Sequence, residues 1–334
     1  MVKIGVNGFG RIGRTVVRVA AERKDIQIVG INEPLIDTEY MAYLIKYDSV
    51  YGKFNSNIME GEGKINISNN DIAVFGNVCP AEIPWKECGA EYIIEASGEC
   101  TEDGKASAHF RGGAKKVVIS ASSKDISMFS MGINHETYSG EKIVSCASAE
   151  ANCIAALMSV LETEFGVEQG IVTCVNSVNS CQKTVDGINR RDWRGGRAAY
   201  NSVIPVASGA AHAVGRILPS AEGKLSGITL RVPTLDVCSA SLVCLLKTKT
   251  DYETVKNAMK KASEENLRGI LGYTDECVVS CDFKGCTQSA VFDANASLLQ
   301  NGNLLKITAW YDNEWGYVSR MLDFVQYMDK MSEQ

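Results

Sequence analysis

Six residues near the start of the chain constrain its fold more than any others. Gly8-Phe9-Gly10-Arg11-Ile12-Gly13 follows a short apolar run at residues 2–7 and precedes RTVVRVAAER at 14–23, which has helical spacing. A second apolar run covers residues 26–32 and ends beside an acid, Glu33. Strand, tight glycine turn, helix and second strand make a βαβ unit. Each glycine has its own physical reason. Gly8 permits the turn, Gly10 lets backbone approach a pyrophosphate, and Gly13 lets the helix lie close to the strand. The helix start offers unpaired N–H groups to phosphates, and Glu33 offers a carboxylate to a ribose. That carboxylate disfavours a 2′-phosphate, so the pattern reads as NAD rather than NADP. The same glycines also serve packing, so the motif alone does not establish binding.

The apolar runs YIIEAS at 92–97 and KKVVIS at 115–120 continue a parallel sheet. A helix is predicted from about residue 149, with Ser148 as its N-cap and ANCIAALMSVLETEF as its body. Beyond Gly166 the runs GIVTCVNSV, GITLRVP, CSASLVCLLK and LLKITAWY are separated by longer loops and read as a largely antiparallel sheet. A last helix over 318–331 is expected to pack back on the first domain. The predicted class is α/β: a Rossmann dinucleotide-binding domain over 1–149, joined by a C-terminal helix at 317–334, and an α+β domain over 150–316 with a mostly antiparallel mixed sheet.

With 334 residues and 45% apolar composition the chain can build two cores. A net charge of −6 argues against general nucleic-acid binding. No apolar run reaches the length of a membrane span, and no charged leader precedes a long apolar run, so a cytoplasmic protein is expected. Several of the twelve cysteines, such as Cys174 and Cys244, lie inside strand-like runs and read as buried thiols rather than disulfides. No C-x-x-C pair occurs, and His109, His135 and His212 are scattered, so no metal is expected.

Taken together, KIGVNGFGRIGR, KYDSVYGKF, IPWKECGAEYIIEASG, QKTVDG, GKLSGITLRVPT and WYDNEWGY resemble the phosphorylating glyceraldehyde-3-phosphate dehydrogenases over residues 2–330. The resemblance implies an NAD site of Gly8, Gly10, Arg11, Ile12, Gly13, Glu33 and Ser120, with Asn313 and Tyr317 holding the nicotinamide carboxamide. Its adenine clamp is weakened, because the usual flanking aromatics are here Leu35 and Cys100. It also implies a loop over about 178–201 at a subunit interface and a homotetramer, either of this chain alone or mixed with an active relative.

The family's reaction needs a cysteine thiolate and a histidine base. At the nucleophile position this chain has Ala149, and at the base position Asn176. A methyl group forms no covalent adduct, and an amide does not titrate. Threonines that bind anions in the family are replaced by Glu150, Asn179 and Cys181, while Ser148, Ser208, Gly209 and Arg231 still match anion-site residues. Glu150 is expected to repel phosphate, to steady the first helical turn, or to pair with Arg231. Cys153, one turn beyond Ala149, reads as a core thiol. The expectation is a binding, regulatory or structural protein that has lost the glycolytic reaction. One alternative is an NAD-dependent enzyme with another substrate and Glu150 as acid/base; another is ordinary glycolytic activity.

Overall fold

The computed structural model describes residues 1–190 and 192–332; Arg191, Glu333 and Gln334, the last two at the end of the expected C-terminal helix, lie outside the described residues. The chain divides into two units, one formed by Met1–Ser148 with the chain from Val318 onward, the other by Ala149–Tyr317.

The first unit is built on an eight-stranded sheet: β1 (Val2–Asn7), β2 (Ile26–Asn32), β3 (Ile58–Gly61), β4 (Lys64–Ile67), β5 (Asn70–Phe75), β6 (Tyr92–Glu95), β7 (Lys116–Ile119) and β8 (Ile143–Ser145). Their order across the sheet is β8-β7-β6-β1-β2-β5-β4-β3. The six strands from β8 to β5 run parallel, with Ile4 opposite Tyr92 on one side and Ile28 on the other. β3, β4 and β5 form an antiparallel meander that the sequence pattern does not predict. Ile4, Val6, Ile31, Ile93, Ile94, Val117 and Val118 are fully buried, the pattern of a central parallel sheet covered on both faces.

Helix α1 (Arg11–Ala21) starts on the glycine loop, three residues earlier than the apolar spacing suggested. It buries Val16, Val17, Val19 and Ala20 against the sheet. Helix α2 (Thr38–Lys46) is capped by Asp37, whose carboxylate accepts from the Tyr40 N–H at 2.8 Å.

In the second unit β9 (Val167–Asn176), β10 (Ile204–Ala207), β11 (Leu225–Arg231), β12 (Cys238–Leu246), β13 (Leu271–Thr274), β14 (Ala290–Gln300) and β15 (Leu304–Tyr311) form one sheet in the order β10-β11-β9-β12-β15-β14-β13. Pairs β9–β11 and β13–β14 are parallel and the other four antiparallel, so the sheet is mixed and mostly antiparallel. Helix α3 (Ala149–Glu164) is buried from Ala151 to Met158 without interruption, on all its faces, and carries half-buried Glu150 in its first turn. Helices α4 (Ala210–Ile217) and α5 (Tyr252–Glu264) complete the unit.

Helix α6 (Trp315–Ser332) begins three residues before the expected start, with Gly316 inside it. Asp312 caps it by accepting from the N–H groups of Glu314 and Trp315 at 2.9 and 2.6 Å. Its later turns belong to the first unit, where Phe324 stacks on Phe129 at 5.1 Å and Asp323 pairs with Arg23 at 2.6 Å.

Candidate functional site

In the first unit a cleft of about 670 Å³ opens at the C-terminal ends of β1 and β2. Gly8, Phe9, Gly10, Glu33, Leu35 and Cys100 line it. Of the expected cofactor residues, Gly8, Gly10 and Glu33 are thus brought together. Arg11, Ile12, Gly13 and Ser120 are not part of its wall, and Asn313 and Tyr317 belong to the second unit. The Arg11 guanidinium pairs with Asp48 at 2.5 Å, and the Ser120 hydroxyl donates to the Glu95 carbonyl at 2.9 Å. Glu33 closes the loop: one carboxylate oxygen accepts from Phe9 N–H at 3.0 Å and the other from Leu35 N–H at 3.1 Å. Lone pairs remain on both oxygens for ribose hydroxyls.

The three glycines separate by function. A side-chain carbon on Gly8, which sits at φ +92°, would meet Ser97 backbone nitrogen at 2.5 Å, and one on Gly13 would meet the Gly8 carbonyl at 2.0 Å. These two are required by the fold itself. Gly10 has φ −69° and nothing within 4 Å of where a side-chain carbon would stand. No packing demand of the described chain explains it, whereas a ligand approaching the backbone does. Beneath the cleft lies a buried chain of hydrogen bonds. Asn32 donates to Asn7 at 2.8 Å, Asn7 to Glu95 at 2.6 Å, and Trp85 to His109 Nδ1 at 3.1 Å. Since indole only donates, His109 carries its proton on Nε2 and gives it to Glu95 at 2.9 Å. His109 is therefore a core residue.

The second unit holds Ala149, Glu150 and Asn176, the positions to which the resemblance assigns reacting and anion-binding groups. Cys174 and Asn176 on β9 stand opposite Thr229 and Arg231 on β11. Glu150 reaches this strand pair from the first turn of α3. Its Oε2 accepts from Asn176 Nδ2 at 2.8 Å, and its two oxygens share the Thr229 hydroxyl at 3.1 and 3.2 Å. The Ser208 hydroxyl also donates to Oε1. At the far end of Asn176, Oδ1 accepts from the Tyr311 hydroxyl at 2.8 Å.

The expected pairing of Glu150 with Arg231 is not what forms: Arg231 donates instead to the Ser177 carbonyl at 2.8 Å. The reason is register. Thr229, two residues earlier on the same strand, presents its hydroxyl where the carboxylate arrives. Among the other expected anion-site residues, Ser148 is the half-buried last residue of the first unit before the chain enters the second. Gly209 is exposed at the N-cap of α4.

No thiol here is ready to replace a nucleophile. Cys153 is fully buried, and burial first, then the charge of Glu150, raises its pKa well above the ordinary thiol value. Burial likewise pushes Cys174 far up and Cys238 and Cys146 up to about 12. Cys238 has a positioning arrangement instead. Its thiol donates to Asn313 Oδ1 at 3.1 Å and the Ser177 hydroxyl donates to the same oxygen at 3.3 Å, which leaves the Asn313 NH₂ group for a ligand. The backbone beside it is strained: buried, β-branched Val237 sits at φ +60°. Among the described residues no group of His, Cys, Asp and Glu is arranged to hold a metal, and no helix is long and apolar enough to cross a membrane.

Residues 2–103 match the NAD binding domain of glyceraldehyde 3-phosphate dehydrogenase, and residues 145–313 match its C-terminal domain. The chain belongs to the glyceraldehyde-3-phosphate dehydrogenase family. It is 50% identical to the cytosolic enzyme of Pinus sylvestris over 98% of this chain and 97% of that one. Against the cytosolic protein of Craterostigma plantagineum the figures are 49%, 98% and 98%. A chloroplastic member from Arabidopsis thaliana is 49% identical over 98% of this chain and 78% of its own length. The family's Rossmann NAD-binding domain and its C-terminal domain are both present.

Proposed function

We propose that this protein is an NAD-binding member of the family that does not carry out the phosphorylating dehydrogenase reaction and acts as a binding, regulatory or structural subunit. The observation that carries the reading is the state of Asn176. It lies at the position the resemblance gives to the base, and both ends of its amide are already bonded, to Glu150 and to Tyr311. Ala149, the residue before Glu150 in α3, offers a methyl group where the family's reaction needs a thiolate. No described histidine joins the cluster, since His109 and His135 are in the first unit and His212 is exposed on α4. The repurposed-enzyme alternative draws no support, because the carboxylate it needs as acid/base is bonded by three side chains.

For the cofactor, the cleft residues fit the group. The main chain at Phe9 and Gly10 would take the phosphates, and Glu33 the ribose. NAD supplies a hydride acceptor when bound; this chain supplies no group to form the covalent adduct from which the family's hydride departs. Leu35 is 86% exposed at the cleft mouth and Cys100 is buried in its wall, so these two positions would offer an adenine no aromatic ring. Two lost ring contacts weaken binding by about 1–3 kcal/mol. The resemblance further supports a tetramer, and the cytosolic relatives support a cytoplasmic location.

Purified protein with NAD, glyceraldehyde 3-phosphate and arsenate or phosphate should produce no NADH absorbance. Turnover within about tenfold of an active relative, roughly 1.4 kcal/mol in barrier, would overturn the reading. Calorimetry should show NAD binding, weaker than in such a relative and stronger than NADP.

A further inference from the structure

We propose that Glu95, which does not line the cofactor cleft, is a positioning residue that holds the glycine loop in its cofactor-ready shape, and that His109 holds Glu95 in turn. The inference rests on the NAD-binding part of the proposed function and deepens it: it names what sets the loop before any cofactor arrives.

Glu95 ends β6 with 2% exposure, and each of its carboxylate oxygens takes two donors. Oε1 accepts from the Ser97 N–H at 2.7 Å and from the Ser97 hydroxyl at 2.5 Å. Oε2 accepts from Asn7 Nδ2 at 2.6 Å and from His109 Nε2 at 2.9 Å. Among the described residues no Lys or Arg pairs with it. A carboxylate set this deep needs its lone pairs filled, and here dipoles in fixed places fill them rather than a mobile counter-charge.

Two of those donors flank Gly8. Asn7 precedes it in the chain, and Ser97 backs it: a side-chain carbon on Gly8 would stand 2.5 Å from the Ser97 nitrogen. Both line the cleft, whereas Glu95 and His109 do not. Glu95 thus ties the start of the loop to the wall against which the loop turns. Asn7 passes the constraint on. Its Oδ1 accepts from Asn32 Nδ2 at 2.8 Å, and Asn32 Oδ1 accepts from the Asn77 N–H at 2.9 Å. The chain of bonds therefore crosses the ends of β6, β1 and β2 and the segment after β5, four neighbours in the sheet. His109 fixes one lone pair of Oε2 and is itself fixed by the Trp85 indole at 3.1 Å. Filling space alone would require no such polar pair at 0% exposure; an apolar side chain of like volume would serve.

The test compares full-length native protein with E95Q, H109L and H109Q. NAD affinity is read by calorimetry, and hydrogen exchange of the amides over 7–12 is read without cofactor. E95Q keeps the shape of the side chain, but whichever way its amide turns, the NH₂ faces two donors. E95Q and H109L should bind NAD at least about fivefold more weakly. Their loop amides should exchange at least about tenfold faster, with the strands of the second unit unchanged. H109Q can accept from Trp85 and donate to Glu95 at once, so it should keep NAD affinity within about twofold of native. Variants that melt earlier yet bind NAD and exchange in the loop as native does would reduce the network to core packing and overturn the proposal. So would H109Q as impaired as H109L. If E95Q does not fold, the H109L and H109Q pair is read by the same criteria. Native protein that binds no NAD would defeat the cofactor reading, and loop exchange would still decide this one.

Discussion

Asp236 stands at the entrance to β12 with 3% exposure, and neither carboxyl oxygen has a hydrogen-bond donor. Its neighbour Asp312 already accepts from the N–H groups of Gly285, Glu314 and Trp315. Burial first, then the charge of Asp312, with Glu314 adding to it, raises the Asp236 pKa from its ordinary 3.8 to about 7. A protonated Asp236 becomes a donor to Asp312. Because the folded pKa exceeds the unfolded one, the stabilisation from the retained proton is full below about pH 4 and is lost as pH rises through about 7. Asp236→Asn should therefore raise the melting temperature at pH 8 and flatten its dependence between pH 4 and 7. Equal destabilisation at pH 5 and pH 8 would contradict this. The sequence held one clue to the feature, an acid at the mouth of the apolar run CSASLVCLL. Glu150 stands out in the sequence as an acid where the resemblance implies an anion site, but its partners depend on strand register, which no local pattern encodes. Restoring Ala149→Cys with Asn176→His should give a thiol that iodoacetamide labels faster than any native cysteine at pH 7. Turnover should stay low until Glu150→Thr is added, because positioning and nucleophile act as a unit. A fully active double variant would show that Glu150 does not obstruct substrate.

Among elements, the glycine loop gives the sharpest separation of architecture from binding. Gly10→Ala adds a methyl group in open space at an ordinary φ, so it should cost at most about 1 kcal/mol as a helix-cap change. NAD affinity should fall at least tenfold, as the methyl stands where a pyrophosphate approaches. Gly13→Ala should instead destabilise the fold, because its carbon would sit 2.0 Å from the Gly8 carbonyl. Urea unfolding and NAD calorimetry on both variants check the pair; a Gly10→Ala protein that binds NAD normally would make the loop merely architectural. The parallel strands and α3 were legible because continuous apolar runs and helical spacing reflect burial directly. The β3–β4–β5 meander was not, since its runs are short and half exposed. The starts of α1 and α6 were placed late because glycine reads as a breaker, although Gly13 and Gly316 sit in first turns.

For the whole molecule, the loop over 178–201 bears on assembly. Val185, Ile188 and Trp193 on it are 73%, 86% and 85% exposed. Apolar side chains so exposed on one loop are what a subunit contact would cover. Light scattering should give a tetramer, and Trp193→Asp should shift it toward smaller species; a concentration-independent monomer of the native chain would refute the assembly. The Tyr311–Asn176–Glu150 chain of hydrogen bonds also bears on the protein's history. Histidine restored at 176 alone would take the amide donor from Glu150 and disturb the acceptor of a buried tyrosine. Threonine restored at 150 alone would leave the buried Asn176 amide without its acceptor. A thiol restored at 149 alone would stand next to a carboxylate that opposes its ionisation. The first two steps each strand a buried polar group at about 1–3 kcal/mol, and the third regains no nucleophile. On the proposed reading the cluster thus works as a one-way step at two of its three positions: reversal at 176 or at 150 alone costs stability before it returns any chemistry.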